Sequence, residues 1–254
     1  MHERCQIEVI VISGGWRVFL SGIPDAGSGG PTARGRDGHR GVMTSPMYVP
    51  EHFAEPRVEV LHEVLRGAGL ATLVTMGAQG LDASHVPLLV ETEPVPLGRL
   101  LGHVARANPQ WRTTPDGAAA LAVVLGPDAY VTPSWYASKR ETGRVVPTWN
   151  YVAIHAHGTI RFFHERERLL DVVTRLTDRH EAAHPRPWKV ADAPADYLDA
   201  MLKGIVGVEI TLTRLEGKWK ASQNRSEADR HGVEKGLRRK GQTAMARLVG
   251  RREP

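Results

Sequence analysis

Four apolar segments between Leu70 and Gly126, "LATLVTM", "LDASHVPLLVE", "RLLGHVA" and "AALAVVLG", follow one another without the alternating strand–helix rhythm of a parallel sheet. Each alternates apolar and polar residues or forms a short buried run, and turn-forming residues separate them. Gly77-Ala-Gln-Gly80, between the first two, reads as a hairpin turn. Antiparallel strands can be joined by such short turns, whereas parallel strands need long crossovers. Further along, "DAYVTPSWYASK" reads as a short strand entering a Pro-Ser turn, "YVAIHAHGTIRFF" as the longest strand, and "GIVGVEITLTRLEGKWKAS" as the last. Helices are expected after Pro56, where Val58, Leu61, Leu65 and Ala68 recur at helical spacing, and over 165–183 and 195–203. The expected fold is mainly β with peripheral helices (α+β), a closed or split antiparallel barrel with helices packed outside.

Composition narrows the function classes more than it selects one. The chain has 254 residues, 41% hydrophobic and 24% charged, enough for a sizeable core. Lys and Arg total 33 against 28 acids, a formal charge of +5 that permits an anionic ligand but is modest for a dedicated DNA binder. Cys5 is the single cysteine, so neither a disulfide framework nor a thiolate metal cluster is available, compatible with a reducing cytoplasm. No stretch reaches the ~18 apolar residues of a membrane helix, and no export signal is legible. Residues 1–46 differ in texture. From Gly22 to Ser45 aliphatic residues are nearly absent, so this part is expected to be a disordered arm or a misread segment upstream of a start at Met47, with one domain over 47–254. At the other end Ser226 and Asp229 have the form of a helix N-cap, followed by a basic helical tail. That tail shows no helix-turn-helix pattern, and a solvated basic face is the expected reading of its charges.

Several side chains have the chemistry of a phosphate site. Ser84 and His85 occupy opposite faces of one strand, while His103 ends another strand and is followed in the turn by Arg106 and Asn108. A guanidinium, hydroxyl and amide donors, and turn backbone N–H groups are what a phosphate requires. Taken singly, each has an ordinary structural explanation: a cross-strand bond, an ion pair, a turn residue before Pro109. The stretch "VPTWNYVAIHAHG" places an indole, an amide, a phenol and two imidazoles within one strand, an unusual choice for packing alone. His155 and His157 share one face of it. With no carboxylate or cysteine at metal-ligand spacing and no HExxH motif, bonded or exposed imidazoles are expected there rather than a metal. Neither G-x-S-x-G nor an active-site cysteine is present for hydrolase chemistry.

The blocks "MYVPEHFAE", "ASHVPLL", "GHVARANPQW", "GPDAYVTPSWYASK", "VPTWNYVAIHAHG" and "KASQNR" resemble, in order, the signature blocks of PaiB-type FMN-binding negative transcriptional regulators, from Met47 to about Leu248. One departure is Ala221, where the family usually has Leu; it bears on local packing. The resemblance implies an FMN-binding split β-barrel, similar to pyridoxamine-phosphate oxidases, with two flavin sites across a homodimer interface. It further implies that Ser84, His85, His103, Arg106 and Asn108 hold the phosphate and ribityl end. Trp149, Asn150 and Tyr151 would line the pocket at the seam, Gln223, Asn224 and Arg225 would meet the isoalloxazine edge, and Ser134, Trp135, Tyr136 and Lys139 would close the mouth. On this likeness the protein would lower transcription through DNA or a transcription partner. The alternatives are a flavin-dependent oxidoreductase and, third, a haem-binding or haem-degrading barrel, to which the 12 histidines would contribute.

Overall fold

A computed structural model describes residues 46–77, 80–93 and 96–251; the expectation for residues 1–46 falls, apart from Pro46, outside them. The chain runs β1 (Ala54–Glu55), α1 (Val58–Gly67), β2 (Ala71–Gly77), β3 (Gly80–Val86), β4 (Leu89–Glu91), β5 (Arg99–Ala105), α2 (Gln110–Thr113), β6 (Ala119–Val131), α3 (Ser138–Thr142), β7 (Thr148–Phe163), α4 (Arg166–Glu181), α5 (Ala195–Lys203), β8 (Ile205–Lys220), α6 (Glu227–Arg239) and α7 (Thr243–Gly250). Every ladder is antiparallel, in the order β3-β2-β6-β7-β8-β5-β4 with β1 added on β8. The α+β expectation is met, and the choice between closed and split falls to the open form, since no ladder joins β3 to β4 among the described residues.

The sheet curls around one core. Leu73 of β2 and Leu100 of β5 lie strands apart in the ladder order, yet both are fully buried in one cluster with Val124, Ile154, Val208 and Ile210. Helix α1 contributes Leu61 and Leu65 to it, the residues its spacing selected. A second cluster lies outside the barrel, where Phe163 and Leu101 meet Leu169, Val172 and Leu176 of α4 and Leu202 of α5. A third joins Ala129 and Val131 of β6 to Val233 and Leu237 of α6 and Met245 and Val249 of α7. Ala221, the departure from the family block, is buried in this third cluster, where the smaller side chain is accommodated.

Three elements differ from their reading in the sequence. "LDASHVPLLVE" is two strands, because Pro87 lacks the N–H a ladder requires. "AALAVVLG" and "DAYV" are one strand, β6, with a register shift between Leu125 and Asp128 at Gly126-Pro127. The basic tail is two helices, turned at Lys240-Gly241-Gln242 with Gly241 at φ 74°, a left-handed conformation that glycine adopts without strain.

Candidate functional site

Ser84 and Asn108 meet. Ser84 pairs with the buried Leu73 and so faces the barrel interior. The Asn108 side chain donates Nδ2 to Ser84 Oγ at 2.7 Å and accepts from the Gln110 backbone N–H through Oδ1 at 2.9 Å. Gln110 is fully buried, and its Nε2 donates to Thr75 Oγ1 at 3.0 Å, fixing the turn from beneath. On the opposite face of β3, His85 Nδ1 lies 3.1 Å from Thr72 Oγ1. Thr72 pairs in turn with Val123, and on this outer face Val74, Leu121 and Val123 are half-buried. One face of the sheet therefore sets imidazole and hydroxyl groups beside an apolar floor. Thr72 and Gln110 carried no signal of their own, being an ordinary strand Thr and a Gln within "NPQW".

Arg106 and His103 go elsewhere. The Arg106 guanidinium donates to the carbonyls of Lys203 at 2.6 Å and Ile205 at 3.0 Å, and so ties its turn to the junction of α5 and β8. His103 lines a groove of about 260 Å³ with Tyr197, Met201 and Trp188. Burial holds its pKa below the ordinary value, and its Nδ1 is buried without a hydrogen-bond partner.

The start of β7 and the end of β8 bring together a second group. Asn150 is buried and donates Nδ2 to Ser222 Oγ at 2.9 Å. Ser222 is the one non-glycine residue at positive φ (66°) among those described. Thr148, Asn150, Lys220, Ser222, Asn224 and Arg225 border a cavity of about 210 Å³. Lys220 Nζ donates to Thr148 Oγ1 at 2.6 Å, and burial, with Lys218 and Arg225 nearby, pushes the pKa of this amine down. Gln223 is spent within its own turn, donating to the Trp219 carbonyl and accepting from the Ala221 N–H. Arg225 lies over the ring of the buried Tyr136, 4.8 Å from its centroid. Lys139 and Ser134 are linked at 3.4 Å, and Asp229 of α6 holds the Ser138 N–H and hydroxyl at 2.9 and 2.7 Å. On the other face of β7, Trp149 is half exposed and meets Tyr130 edge to face. With Trp135 and Lys240 they border a cavity of about 530 Å³, within the ~300–1,000 Å³ of small-molecule sites.

The histidines acquire a carboxylate that linear spacing did not show. His155 pairs across the ladder with Glu216, and His157 Nε2 lies 2.7 Å from Glu216 Oε2. The ligand atoms of His155, His157 and Glu216 all lie within 4.8 Å of one another, so the reason for setting a metal aside does not hold. Arg214 also lies 3.2 Å from His157 Nε2, and Glu216 accepts the Met47 N–H. Both imidazoles are pushed down in pKa, by burial first and, for His157, by Arg214 against the opposing pull of Glu216.

Fold and polar clusters together define an open antiparallel barrel with a polar-edged apolar face. Residues 47–214 match the family described as "Putative FMN-binding domain". The chain is 34% identical over 233 residues to an uncharacterized protein of Emericella nidulans, covering 78% of this chain and 93% of that one. It is 32% identical to the Protease synthase and sporulation protein PAI 2 of Bacillus subtilis, covering 72% and 85%. Among solved structures, the flavocytochrome Anf3 of Azotobacter vinelandii is similar with a TM-score of 0.49 at 12% identity, over 68% of this chain and 72% of that one. The chain belongs to the PaiB-type FMN-binding family, and FMN is the cofactor that membership assigns. Its donors fit that molecule: hydroxyl, amide and imidazole groups for a phosphate and polyol, beside an apolar floor for a flat ring.

Proposed function

We propose that this protein is a homodimeric FMN-binding negative regulator of the PaiB type, with flavin held at the seam between two barrels. The observation that carries the dimer is the uncovered outer face of β2, β3 and the first half of β6. Helices cover β5 and β8, whereas Leu81 and Leu125 stand 74% and 72% exposed on that face and Met76 is 44% exposed. Contiguous exposed apolar surface on a sheet marks an interaction face, and a second copy supplies its own match by two-fold symmetry. In this reading His85, beside Thr72 on the outer face, meets the phosphate and ribityl end, Ser84 and Asn108 brace β3 behind it from the interior face, and Trp149 supplies an aromatic wall. FMN, when bound, brings reversible one- or two-electron chemistry; the chain orients it and limits its access to water. Redox state or occupancy would then bias the dimer toward or away from a transcription partner or DNA. A relative named for protease synthase and sporulation supports the regulatory reading.

A second reading, a flavin-dependent oxidoreductase, is favoured by the cavity beside Trp149, which leaves room for a small substrate. The purified, FMN-loaded protein separates the two. A regulator retards DNA from the region upstream of its own gene, alone or with a partner, and consumes NAD(P)H negligibly. Sustained NAD(P)H oxidation with no effect on transcription would reject the regulator.

A further inference from the structure

We propose that the cavity between the start of β7 and the end of β8 is a binding site for a small anion, the phosphate or carboxylate group of a ligand other than the flavin. This goes beyond the flavin reading. At about 210 Å³ the cavity is smaller than the ~300–1,000 Å³ of sites that enclose drug-sized ligands, so it suits a single anionic group rather than a tricyclic ring. Two cationic residues, Lys220 and Arg225, border it and no acidic residue does. Asp229, an acid that interacts electrostatically with Arg225, is already committed to Ser138 through both carboxylate oxygens. Lys218 adds a third positive charge close to Lys220. Cations drawn together in a partly enclosed space are costly until an anion or an acid compensates them.

The remaining border suits the same ligand. Thr148 Oγ1 fixes the Lys220 ammonium, and Asn224 is exposed at the rim, where its amide can donate. Ser222 is bonded to Asn150 and sits at φ 66°, a conformation strained for a non-glycine residue and one that gathers at ligand clamps. Guanidinium and ammonium donors, with hydroxyl and amide groups between them, are the usual reading set for phosphate and carboxylate. Lys220, Ser222, Asn224 and Arg225 lie past residue 214, where the family match ends.

The test is calorimetric titration of the full chain with inorganic phosphate and, separately, with acetate, each with and without saturating FMN. Saturable binding is expected for at least one anion, and the stronger of the two names the group. Lys220→Met should weaken it tenfold or more while FMN affinity stays within about twofold, and Arg225→Gln should weaken anion binding to the same extent. Asn224→Ala, at an exposed position, should weaken it several-fold and decides the matter if the other two fail to fold. The proposal is overturned if neither anion binds, or if the variants bind as the wild type does. It is also overturned if Lys220→Met loses FMN and phosphate together, which would make the cavity the flavin's own phosphate cradle. Phosphate binding by a chain that ignores FMN would instead remove the flavin reading and leave this site in place.

Discussion

Asn108 and Arg106 stand two residues apart, and the structure gives them opposite duties. Asn108 bridges Ser84 and the first turn of α2, whereas Arg106 closes onto two carbonyls at the α5–β8 junction. Asn108→Ala should therefore weaken FMN binding about tenfold, the scale of a lost polar contact. Arg106→Ala should cost about 1–3 kcal/mol of stability with a smaller effect on flavin, because it frees backbone acceptors. Comparing melting temperature with flavin titration in both variants checks this; flavin loss confined to Arg106→Ala would reverse the assignment. The phosphate-type donors were legible as residue types, but not which of them would meet. Arg106 and Asn108 share a turn in the sequence, and the direction each side chain takes depends on tertiary partners, 97 and 99 residues away for Arg106 and 24 for Asn108. Glu216 was hidden for the same reason, since it meets His157 only through the β7–β8 register.

A pH dependence belongs to these same residues. His103, His155 and His157 all have folded pKa values below the ordinary 6.5, burial being the largest cause. Their neutral forms are favoured on folding, so the unfolded chain takes up protons first as pH falls. Stability is full above about pH 6.5 and declines as pH drops from there toward the lowered folded values. Glu55, Glu91 and Glu216 are also held below their usual 4.5, but their contribution is lost only in a more acid window. The melting temperature should fall between pH 7.5 and 5.5, and replacing His157 by Asn should flatten part of that slope. A melting temperature constant over this range would refute the protonation argument.

Among the elements, strands and helices were legible where periodicity ran long, as in α1, α5, β5 and β7, and less so where one residue decides a boundary. Pro87 divides one apolar run into β3 and β4, while Gly126-Pro127 interrupts β6 without ending it. The ladder partner on the far side settles which happens, and the linear pattern does not contain it. The glycine of "HAHG" shows how tightly that partner constrains the strand. A Cβ on Gly158 would sit 2.3 Å from the Thr211 carbonyl, at the shift in register between β7 and β8. Gly158→Ala should destabilise the protein by about 1–3 kcal/mol or more, since backbone rather than a flexible side chain must yield. Ser226, whose hydroxyl accepts from the Asp229 N–H, caps α6 as its spacing suggested. Ser226→Ala should cost about 1 kcal/mol by denaturant titration; no loss would mean that water replaces the cap.

The described residues form a curled antiparallel sheet, covered by helices on some strands and bare on the outer face of β2, β3 and the first half of β6. Alternation along the strands announced the antiparallel architecture, but a single chain's sequence does not distinguish apolar residues facing a core from those facing a second copy. Leu81 and Leu125 lie within apolar strand segments and stand exposed. Replacing both by Asp should shift the protein to monomer in sedimentation and weaken FMN binding with it; a double variant that stays dimeric would place the interface elsewhere. Titrating the purified chain with FMN, with subunit concentration known and oligomeric state followed in parallel, tests the central claim most directly. Saturation at one flavin per subunit, in a dimer, is the expected result. A chain that remains without FMN at any concentration, or that binds it fully as a monomer, would contradict a flavin site built at the seam of two barrels.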